Sequence, residues 1–264
     1  MRRFFSLLFG LSLAAPIQAD ELDGSWSIKA LALYQNLEET GRSGSTLVEE
    51  SGLEPAIELA GAWPAGSGSV IGSILLSRYT LDYEGKSQAG RSVDSETDYQ
   101  RLRAALGYSH PLQETARLKV QLEVEWMERD INGVDNIAGL NEETQSNRLL
   151  IGLEKDVVTF DRQISLELIG VWGLSGTQKV SSAGIIDEVE LPEGRTYGVR
   201  SIVSIPLNPD SKGGWMWTLT PTVEYLHSDR SEDRLWTQDG VIRGTLAQPE
   251  TRRWAAGLGL MAIW

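Results

Sequence analysis

"ARLKVQLEVEWMER", residues 116–129, sorts its side chains by parity. Leu118, Val120, Leu122, Val124 and Trp126 fall on one side of the alternation, and Lys119, Gln121, Glu123, Glu125, Met127 and Arg129 on the other. Successive side chains of a strand point to opposite faces, whereas a helix would spread these residues around its circumference. The segment is therefore a strand with an apolar neighbour on one face and a polar one on the other.

The alternation recurs in both directions along the chain. Upstream, one face carries Trp26, Ile28, Ala30, Ala32 and Tyr34, the next Ile57, Leu59, Gly61 and Trp63. Then follow Leu75, Tyr79, Leu81 and Tyr83, set against Arg78 and Asp82, and Leu102, Ala104, Leu106 and Tyr108, set against Arg101 and Arg103. Downstream come Leu149, Ile151 and Leu153, and then Ile164, Leu166, Leu168, Gly170, Trp172 and Leu174. Tyr197, Val199, Val203 and Ile205 form the next face, and Trp215, Trp217, Leu219, Pro221, Val223 and Tyr225 the one after. The last is Trp254, Ala256, Leu258, Leu260, Ala262 and Trp264. These are about ten segments, each near the roughly 9 to 11 residues a tilted strand needs to cross a bilayer.

The breaks between them alternate in length. Residues 64–68, 110–115, 155–161 and 206–214 are short links rich in Pro, Gly, Asn and Asp, the residues of tight turns. Residues 38–52, 84–98, 130–145, 175–194 and 227–251 are longer, polar and acidic. Short turns on one side and long loops on the other predict an all-β, antiparallel up-and-down transmembrane barrel of about ten strands. Asp239-Gly240 within "WTQDGVIRGTL" marks a further hairpin, so twelve strands is the alternative.

Residues 1–19 read as a cleaved secretory signal: a basic start at Arg2 and Arg3, an apolar run shorter than the about 20 residues of a membrane helix, and small residues up to Ala19. Residues 20–264 are then one barrel domain. The net charge is −13, or −15 without Arg2 and Arg3, which excludes a nucleic-acid surface. There is no cysteine, so neither disulfides nor thiolate metal sites hold the fold. No motif names a cofactor or a metal; 130–136 and 208–214 carry only incomplete calcium-loop patterns.

Trp and Tyr favour the two membrane interfaces. With odd strands running outward, Trp26, Trp63, Tyr108, Trp215, Trp217 and Trp264 fall at one edge of the apolar band. Tyr34, Tyr79, Tyr83, Trp126, Trp172, Tyr197, Tyr225 and Trp254 fall at the other. The chain thus resembles the outer-membrane β-barrel proteins of Gram-negative bacteria over its whole mature length. The ending carries that resemblance most specifically: an aromatic last residue, Trp264, preceded at every second position by Ala262, Leu260 and Leu258. In that class the last residue is more commonly Phe. The resemblance implies that this strand is the signal read by the barrel-assembly machinery, that export follows the general secretory route, and that both termini are periplasmic.

The inward parity carries Lys29, Arg78, Arg101, Arg103, Lys119, Arg129, Arg148, Arg200 and Arg253 against Glu58, Asp82, Glu123, Glu125, Glu154, Glu167 and Glu224. Charges taken from bulk water must be paired, and about ten strands leave little more than room for side chains, so a filled lumen is expected rather than a general porin. For chemistry the residues offer one weak candidate, His227 with Glu224 and Asp229 at the outer rim. The Asp-x-His pattern of the ten-stranded omptin proteases is missing, as is the His-x-Ser of the lipid A deacylases. The expected role is structural or interactive at the cell surface, through acidic loops that meet lipid, lipopolysaccharide by way of divalent cations, or an extracellular ligand. The alternatives are a narrow selective channel or transporter, and a rim-sited hydrolase using His227.

Overall fold

The computed structural model describes residues 24–86, 92–134, 137–159, 162–208 and 215–264. The expected signal, residues 1–19, lies outside them, as do 135–136 and 209–214 of the two calcium-like fragments. The strands are β1 (Ser25–Thr40), β2 (Thr46–Ala65), β3 (Gly68–Lys86), β4 (Ser92–Gln113), β5 (Ala116–Ile131), β6 (Leu140–Thr159) and β7 (Arg162–Ser182). They continue as β8 (Ile186–Pro192), β9 (Thr196–Pro206), β10 (Met216–Ser228), β11 (Arg234–Gln238), β12 (Val241–Leu246) and β13 (Glu250–Ile263).

Neighbouring strands pair antiparallel in chain order from β1 to β7, then β7 with β9, β9 with β10 and β10 with β13. Pairing of β1 with β13, from Ser27 opposite Ile263 to Thr40 opposite Glu250, closes the cylinder. The result is a ten-stranded barrel with β8 as an appendage on β7. The β11–β12 hairpin forms a separate two-stranded sheet, so the barrel does not have twelve strands. Closure removes the open edges that would otherwise leave backbone groups unpaired in lipid.

The outward parity of each strand is an apolar belt, with Leu106 63% and Leu122 59% exposed. Aromatics rim it in pairs: Trp26 against Trp63 at 4.9 Å, Trp215 against Trp264 at 4.7 Å, and Tyr34 against Trp254 at 5.7 Å. The strands run far past this belt; β4 has 22 residues and β7 has 21. Much of what the sequence suggests as loop at 38–52, 84–98, 130–145 and 175–194 is therefore barrel wall. Beyond the lipid the outward positions are mostly polar, so the alternation that marks a lipid-facing strand disappears while the backbone ladder continues.

In β3 the faces are the reverse of those expected. Ile74 and Leu76 are exposed outward, and Leu75, Tyr79 and Leu81 are buried in the lumen, with Tyr83 on the same parity. Arg78 and Asp82 point outward, away from the interior charges, and Tyr83 does not belong to the aromatic rim. Residues 73–83 carry large apolar side chains on both parities, so local alternation is ambiguous there. Register decides instead, because Leu75 lies opposite the inward Glu58 and Arg103, and Tyr79 opposite the inward Tyr99.

The lumen also holds apolar clusters. Leu31, Leu33, Ala56, Leu75 and Ala255 form one, Leu150, Ile169, Val171 and Leu226 a second, and Tyr79, Leu81 and Tyr99 a third, with Tyr79 stacked on Tyr99 at 4.9 Å.

Candidate functional site

Three groups of charges occupy the lumen, each built from inward positions of strands whose other face meets the belt. Nearest the short turns, Lys119 Nζ lies 2.5 Å from Glu154 and 2.9 Å from Glu167, and Lys29 lies 3.0 Å from Glu58.

The central group crosses the barrel. Glu224 accepts from three arginines on three other strands: Arg200 Nε at 2.6 Å, Arg253 Nη2 at 3.0 Å and Arg103 Nη1 at 3.3 Å. Glu125 accepts from Arg148 Nη2 at 2.7 Å and Arg103 Nη2 at 3.0 Å. Glu123 takes further contacts from Arg148 and Arg200, at 3.4 and 3.3 Å, and Arg101 donates to Glu54. Guanidinium is charged at every accessible pH, and each carboxylate here holds it in place from more than one side.

Beyond it, toward the long loops, Arg129 is clasped by Glu39 at 2.6 Å, Glu50 at 2.6 Å and Glu142 at 2.8 Å. Fully buried Glu50 also accepts from Thr97 Oγ1 at 3.0 Å and from Tyr99.

The central group divides the open space. A cavity of about 300 Å³ runs from the short-turn end, at Ser25, Trp26 and Ile263, up to Arg101, Arg103 and Glu224. On the other side a space of about 70 Å³ is lined by Glu39, Arg129, Glu142 and Arg148. Arg253 borders both.

Sequence alternation points to Arg101, Arg103, Glu123, Glu125, Arg148, Arg200 and Glu224, and these side chains meet in the central group. Glu154 and Glu167 sit instead with Lys119, and Arg78 and Asp82 lie outside the barrel wall. Glu39, Glu50 and Glu142 escape the sequence reading because they lie in stretches taken as loop. Glu54 had a usable signal, since it shares the parity of Glu58.

The rim triad is not assembled. Glu224 faces the lumen, whereas His227, three residues on, has the opposite parity and packs on the outside against the Tyr197 ring at 4.8 Å. His227 Nε2 is 3.1 Å from Asp229. His227 and Glu224 lie on opposite sides of the wall, so they cannot act on one substrate.

On the closing strand, Leu258, Leu260 and Trp264 are exposed outward while Ala262, on the same parity, is buried, and the Trp264 backbone exchanges two 3.0 Å hydrogen bonds with Trp26. No protein-family model and no curated protein matches the chain. Among solved structures it is similar to the outer membrane protease OmpT from Escherichia coli, with a TM-score of 0.56 and 8% identity over 92% of this chain and 98% of that one. It also matches the translocator domain of the autotransporter NalP from Neisseria meningitidis, with a TM-score of 0.45 and 10% identity over 89% and 88%. The fold is that of an outer-membrane β-barrel. At such identity the likeness covers the fold alone; the protease's activity is its own.

Proposed function

We propose that the chain is an integral outer-membrane protein that works as a surface binding protein through its long-loop, extracellular end, and that it is not an open diffusion pore. The observation that carries this is the central Arg–Glu group, which spans the lumen from β4 to β13 and leaves separate spaces on its two sides. A continuous aqueous path would need these buried ion pairs to part, at a cost of several kcal/mol.

The wall above the belt supports lipopolysaccharide, bridged by divalent cations, as one partner. On its outer side carboxylates stand directly opposite one another: Asp82 and Glu96, Glu84 and Asp94, Asp98 and Asp130, Glu128 and Glu143. Like charges in such cross-strand pairs repel, and a bridging cation relieves the repulsion. Export through the general secretory route and delivery to the assembly machinery by the Trp264 strand belong to the same reading.

A planar bilayer tests the closed-barrel claim. The unmodified protein is expected to give no single-channel steps at moderate voltage. Regular steps would favour the second reading, a narrow selective channel, for which the 300 Å³ cavity is the supporting observation.

A further inference from the structure

We propose that the cavity of about 300 Å³ is a binding site for a small monocarboxylate with an apolar body, entered from the short-turn, periplasmic end. The inference is independent of the surface-binding reading, because the central Arg–Glu group separates this cavity from the extracellular end.

Unused hydrogen-bond donors give the charge of the occupant. The central group joins five guanidiniums, Arg101, Arg103, Arg148, Arg200 and Arg253, to four carboxylates, Glu54, Glu123, Glu125 and Glu224. Among the described residues no fifth carboxylate lies within ion-pair distance of these arginines, so one positive charge is left over among largely buried side chains. Arg103 and Arg200 line the cavity and not the smaller space, and their side chains are 10% and 13% exposed, whereas Glu54, Glu123 and Glu125 are at 0 to 3%. Arg253 donates to Glu224 through Nη2 at 3.0 Å, and its Nε and Nη1 have no partner among the described residues. Oxygens of Gln35 and Glu54 also lack partners, but those residues are 2% and 0% exposed and offer the cavity no surface. The cavity therefore meets N–H groups more than oxygens. A carboxylate entering it supplies the missing counter-ion and accepts from a planar fork of matching geometry.

The walls give the body. Leu31, Leu33 and Leu75 flank the cavity on one side, and Leu150, Ile169 and Ile202 on the other. Apolar surface removed from water there adds affinity that acetate cannot gain. The volume is at the lower end for small-molecule sites, which limits the body to a short chain or a single ring. Nearer the mouth, Lys29 and Lys119 hold Glu58, Glu154 and Glu167 in ion pairs, so the route inward presents paired charges.

The test titrates hexanoate calorimetrically into the whole barrel in lipid nanodiscs, with empty nanodiscs as the blank and hexanol, hexylamine and acetate as comparisons. Hexanoate is expected to bind about ten-fold tighter than each of the three. Arg253→Gln leaves four guanidiniums with four carboxylates and is expected to remove the advantage over hexanol. Glu224 keeps Arg103 and Arg200 in that variant, and heat-modifiable migration reports whether the barrel still closes. Ala105→Trp places an indole in the cavity and should abolish binding with the migration unchanged. Equal affinity for hexanoate and hexanol, or no binding, overturns the proposal, and equal affinity for hexanoate and acetate overturns the apolar body. Binding that survives Ala105→Trp in a closed barrel also overturns it, since the ligand then sits elsewhere.

Discussion

Glu224 is the side chain on which the interior turns. One carboxylate holds Arg103, Arg200 and Arg253, so Glu224→Gln leaves three guanidiniums facing one another without their shared counter-ion. Breaking a buried pair from one side costs about 3 to 5 kcal/mol, and denaturant unfolding of the variant in micelles should show a loss of that order. Glu154→Gln should cost much less, because Lys119 keeps Glu167 at 2.9 Å. His227→Ala is expected to leave peptide and lipid cleavage at background, identical to the unmodified protein, since no carboxylate of the lumen reaches the imidazole. A variant-dependent cleavage rate would revive the hydrolase reading.

At the scale of elements, the seam between β1 and β13 and the docked hairpin carry their own expectations. A Cβ on Gly257 would stand 2.0 Å from the Ala32 carbonyl oxygen, so Gly257→Ala must push the closing strands apart. Overpacking of this kind costs about 1 to 3 kcal/mol, visible as a lower temperature for the loss of heat-modifiable migration. For the hairpin, hydrogen bonds from the Thr237 hydroxyl and the Gly240 amide hold the Asp187 carboxyl below the usual carboxylate range. Its folded pKa is therefore below its unfolded one. The contribution to docking is complete above the unfolded value of about 3.9 and is lost as pH falls through the lower folded value. Exchange of the Gly240 amide should accelerate only in that acid window, and Asp187→Asn should move the acceleration to neutral pH. The elements also show where sequence was legible. Alternation marked the belt strands because lipid demands one apolar face, and it failed in β3, where the lumen beside Leu75 and Tyr79 is itself apolar. It failed again above the belt, where Glu39, Glu50 and Glu142 lie on wall that has no lipid to face.

Taken whole, the barrel exposes an apolar belt to its surroundings and keeps polar and apolar clusters inside, the inverse of a protein made for water. It should therefore resist detergent at room temperature and change migration after boiling; identical migration before and after would contradict the closed sheet. Chelation of divalent cations should weaken its hold on lipopolysaccharide if the facing carboxylates are bridged.

From the sequence alone came the strand class, the outward faces of most strands, the aromatic rims and the pairing-ready last strand, because each is a local consequence of a period of two against lipid. Only the tertiary structure decided the face of β3, the separation of His227 from Glu224, the place of the β11–β12 hairpin outside the barrel and the partners of each arginine. Those depend on register between strands distant in the chain, and register is set by closing the cylinder.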